Sequence, residues 1–260
     1  MFKKLAFLAA SIFAVATTTQ AFAAESLLER INNHGTITVG TEGTYPPFSY
    51  HDESNKLTGY DVEVARAVAE KLGVKVEFKE TVWDSMMAGL KAGRFDIVAN
   101  QVSLTTPERR ATFDRSEPYS WSGEVILGRA DDTRVSKPED VKGLKAAQSI
   151  SSNYGELAVK NHAEIVPVDG LSQSVMLLKQ KRADVTFNDG LAVLDFLKKD
   201  PNSGLKILWE SNDKLGSGFI VNKGNDEALA KISAAVLELQ KDGTLKKLGE
   251  QFFGRDISAK

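Results

Sequence analysis

Apolar and polar residues alternate along Thr36-Ile37-Thr38-Val39, the period-two pattern of a strand with one buried face. The period then changes. Between Asp61 and Leu72 the apolar residues Val64, Val68 and Leu72 recur every fourth position and predict a helix, with Asp61 as N-cap and Gly73 as the glycine just past its end. Alternation returns at Val74, Val76 and Phe78. Met86, Met87 and Leu90 predict a second helix ended by Gly93, and Phe95-Asp96-Ile97-Val98-Ala99 reads as a largely apolar strand. Strands alternating with helices of this length predict an α/β fold with a parallel sheet.

The chain then repeats itself. Leu90-Lys91-Ala92-Gly93-Arg94-Phe95-Asp96-Ile97-Val98-Ala99-Asn100-Gln101 is echoed by Leu178-Lys179-Gln180-Lys181-Arg182-Ala183-Asp184-Val185-Thr186-Phe187-Asn188-Asp189. Leu, Lys, Arg, Asp and Asn recur in register. Each copy is a helix end, a tight turn and a strand whose far end carries polar side chains. Two similar lobes would place those polar ends around a shared cleft, the usual position of a small-molecule site. A further strand–helix unit follows the same plan. Ser136-Lys137-Pro138-Glu139 predicts a capping box, Lys145-Ala146-Ala147-Gln148 a strand, and Ser151-Ser152-Asn153-Tyr154 the start of a helix running to Asn161. The free N–H groups of such a helix start suit a carboxylate, whether or not Ser152 or Asn153 also serves as its cap.

Gly40-Thr41-Glu42-Gly43-Thr44-Tyr45-Pro46-Pro47-Phe48 follows the first strand. Two adjacent prolines cannot extend a strand, because each lacks an N–H and fixes φ. The loop must turn stiffly at a strand end, where α/β sheets bind small ligands. Tyr45 and Phe48 are then either one wall of a cleft or core anchors of the loop.

The first residues bear on compartment. Lys3-Lys4, the apolar run Leu5 to Ala16, and Ala21-Phe22-Ala23 have the form of a secretory signal peptide cleaved after Ala23, too short to span a bilayer. No Cys follows to carry a lipid, which predicts a soluble periplasmic protein. With zero cysteines there is no disulfide framework, thiol nucleophile or thiolate metal site. His34, His51 and His162 share no ligand spacing, so no metal or cofactor is expected. The formal charge is −2, and losing Lys3 and Lys4 with the leader makes it −4. Positive charge is scattered, which argues against nucleic acid as a partner. An apolar content of 42% over 260 residues supports one large or two small cores.

A resemblance emerges from the ordered motifs. Gly-Thr-Tyr-Pro-Pro-Phe, Leu57-Thr58-Gly59-Tyr60-Asp61-Val62-Glu63, Trp83-Asp84, Phe95-Asp96-Ile97, Pro107-Glu108-Arg109, Phe113-Asp114, Ser152-Asn153-Tyr154, Asp184 and Asp189 together resemble the polar amino-acid binding proteins of ABC importers. The likeness spans the chain beyond the leader. It is strongest to the cystine-binding branch at Glu42 to Phe48, Trp83-Asp84 and Asn100-Gln101-Val102. The resemblance implies two α/β lobes, each a mixed, mainly parallel sheet flanked by helices and joined by two hinge strands (the type II periplasmic-binding-protein fold). Lobe 1 is expected at 24–123 and 217–260 and lobe 2 at 124–216, with hinges near Ser122–Ile126 and Gly216–Ile220. Asn225 should cap a helix through Leu229, Ile232, Val236 and Leu239, and a last helix from Leu245 to Phe252 should return to lobe 1.

The same resemblance implies roles. Arg109 would clamp the ligand α-carboxylate in the bidentate manner of a guanidinium, with Arg110 facing solvent. Ser103 and the backbone at Gln101 would bind the α-ammonium and α-carboxylate, and Ser152 and Asn153 would donate to that carboxylate. Asp189 would pair with the ammonium. Tyr45 and Trp83 would wall the side-chain pocket, with Phe48 on the same loop. For cystine, Gln101, Asn153 and Tyr154 would meet the second head. One departure stands out: Ser103-Leu104-Thr105-Thr106-Pro107-Glu108-Arg109 is one residue longer than the usual spacing, so the loop must bulge. Physical chemistry points the same way, because a zwitterion in a dry cleft needs one cation and one anion. The competing reading of Arg109 and Asp189 is surface charges or an interlobe ion pair.

The expected function is capture of a polar amino acid, L-cystine foremost, by a monomer that delivers it to an inner-membrane permease. The alternative is a secreted cyclohexadienyl or arogenate dehydratase-like enzyme, since fold does not fix function. For it Glu42 or His51 is the available acid. The chain carries no HExxH, GxSxG or phosphate-loop motif. A third possibility is contact of the closed form with a chemoreceptor.

Overall fold

The computed structural model describes residues 25–260, and the expected leader lies outside the described residues. The first half runs α1 (Leu27–His34), β1 (Thr36–Thr41), β2 (Thr44–Tyr45), β3 (Ser49–His51), β4 (Leu57–Thr58), α2 (Tyr60–Leu72), β5 (Lys75–Glu80), α3 (Trp83–Lys91), β6 (Ile97–Val98), α4 (Pro107–Thr112), β7 (Phe113–Arg115) and β8 (Ser120–Arg129). A one-turn 3₁₀ helix at Pro138–Val141 leads to β9 (Lys145–Gln148), α5 (Asn153–Lys160), β10 (Glu164–Pro167), α6 (Leu171–Lys179), β11 (Val185–Asp189), α7 (Gly190–Lys199), β12 (Leu205–Ser217), β13 (Ile220–Asn222), α8 (Asp226–Lys241) and α9 (Thr244–Phe253).

The strands form two five-stranded mixed sheets, ordered β5-β1-β6-β13-β7 and β10-β9-β11-β8-β12, with a small antiparallel sheet β2-β3-β4 beside the first. Each large sheet places a parallel trio next to antiparallel strands, so the two lobes share one plan. The internal repeat is its signature. Gly93 and Lys181 hold equivalent turn positions and both adopt left-handed backbone, at φ 69° and 59°. Asp96 Oδ2 accepts from the Thr38 N–H at 2.7 Å in one lobe, and Asp184 Oδ2 from the Lys145 N–H at 3.0 Å in the other. In each copy the aspartate thus ties its turn to the first strand of the neighbouring unit.

The chain passes from the first sheet to the second between β7 and β8, at 116–119, and returns between β12 and β13, at 218–219. The first passage precedes the expected Ser122–Ile126 segment, which lies within β8, paired to both β11 and β12. The returning chain supplies β13 to the middle of the first sheet. Phe253 of α9 then packs 5.4 Å from Phe48 and 5.6 Å from Tyr60. Phe48 is fully buried there, so it anchors the loop in the core and does not form a cleft wall. The Pro46–Pro47 peptide is cis.

Local expectations fail where tertiary partners replace a cap. Asp61 does not cap α2. Gly59 stands before the helix at φ 122°, where a Cβ would lie 2.3 Å from the Phe48 carbonyl oxygen, so only glycine fits. The N–H groups of Tyr60 and Asp61 donate to Pro47 O and Phe48 O, leaving the Asp61 carboxylate for other work. At the 3₁₀ turn the capping carboxylate is Asp140, which accepts from the Ser136 N–H and Oγ, and not Glu139. Asn225 occupies the position before α8, but its side chain donates to Asn222 O; Asp226 and Glu227 in the first turn favour the positive end of the helix dipole instead. Of the expected strand Phe95–Ala99, only Ile97 and Val98 pair as β6.

Candidate ligand-binding site

The polar ends of β1, β6, β9 and β11 converge on one cavity between the lobes. About 490 Å³ of space free of atoms, partly open to solvent, is lined from the first lobe by Glu42, Tyr45, Trp83, Asn100 and Gln101. The second lobe adds Gln148, Ser149, Ser152, Asn153, Tyr154, Gly170, Leu171, Ser174 and Asn188. Strand ends are where α/β sheets offer free backbone groups and short loops, which is why the cavity forms there.

Six residues expected at the site line this cavity: Tyr45, Trp83, Gln101, Ser152, Asn153 and Tyr154. Gln101 takes left-handed backbone, φ 49°, at the start of the lengthened loop. Its N–H and Nε2 donate to Asp61 at 2.7 and 2.6 Å, and its Oε1 accepts from Ser120 Oγ at 3.0 Å, which fixes the amide and leaves it one further N–H. Ser152 caps α5, accepting from the Gly155 N–H at 2.9 Å.

Four expected residues stand off the lining. Phe48 is core. Ser103 is buried and offers its carbonyl to Arg109 Nη1 at 3.4 Å. Arg109 is buried beside the cavity, its guanidinium 5.4 Å from the Trp83 ring centroid and Nη2 donating to Ser151 O at 2.7 Å across the lobes. Asp189 is buried and committed to structure: one oxygen accepts from Ser122 Oγ at 2.8 Å and from the Leu191 and Ala192 N–H groups, capping α7. Its neighbour Asn188 faces the cavity instead, accepting from Tyr45 Oη at 2.7 Å. Arg110 is exposed and donates to Leu104 O and Thr105 O.

Glu42, Asn100, Gln148 and Asn188 were not expected as ligand residues. A signal existed for two of them, because Asn100 and Asn188 are equivalent positions of the internal repeat. Asn100 organises the first-lobe wall. Its Oδ1 accepts from the Glu42 N–H at 2.9 Å and from Thr41 Oγ1, and its Nδ2 donates to Glu42 Oε2 at 2.6 Å. Glu42 has no cationic partner among the described residues. Burial pushes its carboxyl up to about 7, against the Asn100 hydrogen bond. Burial likewise raises Asp61 to about 7 and Asp189 to about 6.

A second set of contacts bridges the lobes at the rim. Asp84 at the start of α3 accepts from the Ser151 N–H at 2.9 Å, from Ser151 Oγ at 2.7 Å and from the Ile150 N–H at 3.4 Å. With Arg109 on its carbonyl, Ser151 is held from the opposite lobe at N, O and Oγ.

Two α/β lobes crossed twice by the chain, meeting over a polar cavity and tied across its rim, define a protein built to enclose a small ligand. The chain belongs to the bacterial extracellular solute-binding proteins, family 3, whose model matches residues 37–255. It is 49% identical over 257 residues, covering 98% of this chain and 99% of the relative, to a probable amino-acid ABC transporter-binding protein of Haemophilus influenzae. Among solved structures, the L-cystine solute receptor of Neisseria gonorrhoeae in its unliganded open conformation is 70% identical, covers 90% of this chain and 100% of its own, and superposes with a TM-score of 0.61. An arginine-bound ancestral arginine-binding protein, 37% identical and covering 85% of this chain and 99% of its own, superposes at 0.80. The bonds across the rim hold the two lobes together over the cavity in the present arrangement.

Proposed function

We infer that this protein is the periplasmic ligand-capturing component of an amino-acid ABC importer. It encloses a polar amino acid by lobe closure and presents it, as a monomer without catalysis, to an inner-membrane permease. L-cystine is the favoured ligand. The observation that carries this reading is the cavity itself, polar on both walls and contributed by both lobes, because a ligand touching both walls binds the closed state better. The 70% identical receptor named for L-cystine supports the choice of ligand.

In this reading the α-carboxylate meets Arg109 with the N–H groups at Ser152 and Asn153. The α-ammonium is held near the Asp189 oxygen not committed to α7, and Tyr45 and Trp83 pack the sulfur segment. The lobes divide at the two crossings, so that lobe 2 holds β8 to β12 from Ser120 to Ser217 and begins a few residues before the expected boundary at 123/124, with lobe 1 on either side of it.

A thermal-shift panel of the common amino acids plus L-cystine tests the reading. Cystine should give the largest stabilisation. A larger shift with glutamine, histidine or arginine would remove cystine but keep an amino-acid binder, and no shift with any would remove both. The dehydratase alternative has one observation in its favour, the raised pKa of Glu42, which suits a general acid. Incubation with prephenate or arogenate should leave either acid unchanged; turnover would establish the enzyme.

A further inference from the structure

Asp61 is fully buried, does not cap α2 and has no cationic partner among the described residues. A carboxylate so placed is costly unless hydrogen bonds hold it. Here one residue supplies a bond to each oxygen: Gln101 donates its N–H to Oδ2 at 2.7 Å and its Nε2 to Oδ1 at 2.6 Å. Two bonds from one residue to one carboxylate close a ring that fixes backbone and side chain together. Gln101 needs that hold. It sits at φ 49°, left-handed backbone that residues other than glycine, asparagine and aspartate rarely adopt, and it lines the ligand cavity.

The same stretch is bonded to both chain crossings. Gln101 Oε1 accepts from Ser120 Oγ at 3.0 Å, just past the first crossing, and Val102 O accepts from the Gly218 N–H at 3.1 Å in the second. The crossings are bonded to each other as well, the Ser116 N–H to Phe219 O at 2.8 Å and the Tyr119 N–H to Ser217 O at 2.9 Å. Tyr60, next to Asp61, donates from Oη to Tyr119 O at 2.7 Å. One helix start therefore holds a cavity-wall residue and the crossing chains in a single hydrogen-bonded unit.

We propose that Asp61 is a positioning residue for ligand capture: its carboxylate locks Gln101 in left-handed backbone, which sets the cavity wall at 101–102 and fixes that wall to both crossings. This rests on the reading of the cavity as an amino-acid site and deepens it. Asp61 stands outside the cavity lining and acts through Gln101. An ionised carboxylate fits the task because both oxygens accept and neither donates. An amide at position 61 keeps one acceptor and turns a donor toward one of the two Gln101 donors, so the ring cannot close.

A double-mutant cycle read by calorimetric titration tests the proposal, with L-cystine as the probe or, should cystine not bind the parent, whichever amino acid ranks first in the thermal-shift panel. Asp61→Asn should weaken binding about tenfold or more in the parent. Gln101→Gly supplies a residue that takes left-handed backbone unaided, so in that background Asp61→Asn should cost less than about threefold. Residues acting independently, or a general loss of folded protein, would give the same factor in both backgrounds. Equal factors, or parent-like affinity in Asp61→Asn, would overturn the lock while leaving the amino-acid reading intact. If Asp61→Asn does not fold, Gln101→Gly and Gln101→Ala carry the test. Both remove the amide and only alanine resists left-handed backbone, so the glycine variant should bind about threefold or more tightly than the alanine variant; equal affinity would overturn the proposal. A parent that binds neither cystine nor any common amino acid would overturn the reading itself.

Discussion

The rim and the floor of the cleft are built from the same kinds of groups and treat them in opposite ways. At the rim, Asp84, Ser151 and Arg109 satisfy one another across the lobes with bonds of 2.7–2.9 Å. On the floor, Trp83 Nε1 and Gln148 Nε2 have no partner among the described residues, and Glu42 has no cation among them. A satisfied polar group stabilises the conformation in which it is found; an unsatisfied one stabilises whatever molecule supplies the missing half. The rim therefore sets how readily the protein closes, and the floor sets what it closes upon.

The sharpest way to break that division is Arg109→Ala, because Arg109 serves both sides. Affinity for the amino acid should fall by about 2–5 kcal/mol, as for removing one partner of a desolvated charge pair. Calorimetry reads it directly, and parent-like binding would remove Arg109 from the site.

Asp84→Ala should act through the rim alone. Apparent affinity scales with the fraction of molecules able to close, so binding should weaken by about 1–2 kcal/mol for every ligand alike. Small-angle scattering should show a larger radius of gyration at intermediate ligand concentrations, with the compact form restored at saturation. Selective loss of one ligand would place Asp84 on the floor instead.

Tyr45→Phe removes only the Tyr45–Asn188 bond and should cost about 0.5–1.5 kcal/mol of affinity. Retained affinity in this variant would mean that the tyrosine acts solely through its ring.

Acidity offers the mildest separation. Glu42, Asp61 and Asp189 all have carboxyl pKa values raised by burial, to about 7, 7 and 6. A raised acid pKa means that the folded state holds its proton more tightly than the unfolded chain, so these groups favour folding at low pH and that contribution is lost as pH rises to about 7. The ligand-free protein should accordingly gain thermal stability from these groups on going from pH 7.5 toward pH 5. Ligand binding should run the other way, weakening as pH falls below about 7, because protonating Glu42 on the cavity wall and then Asp189 beside it removes the negative charge that favours an ammonium. Affinity that is flat across this range would disconnect Glu42 from the ligand.

Much of this molecule was legible in its sequence, and what escaped has a common cause. Periodicity found α2, α3, β1 and β5, and the repeat at residues 90–101 and 178–189 foretold two lobes, with even the left-handed turn of Lys181 standing where Gly93 stands. Six cavity residues were expected from motif order. The failures involve side chains whose partners lie far along the chain. Asp61 looks like a cap until the Pro47 and Phe48 carbonyls take the helix N–H groups. Asp189 looks like a free carboxylate until Ser122, 67 residues away, fixes one of its oxygens. Asp84 was visible as part of a motif, but its work depends on Ser151, likewise 67 residues distant. Local pattern specifies elements, whereas the state of a carboxylate depends on everything brought against it.

The discontinuity of the first lobe bears on how the molecule comes into being. A chain that emerges N-terminus first can complete the second sheet once Ser217 is available, since β8 to β12 are contiguous. The first sheet has no such closure. From Val98 until Ile220 arrives, β6 keeps its antiparallel neighbour's edge open, and Phe48 waits for Phe253 at the far end of the chain. An apolar strand edge exposed for that long is a template for pairing with other nascent copies. The half begun first is finished last, and a chain stopped between Ser217 and β13 has a complete second sheet attached to an unsealed first one.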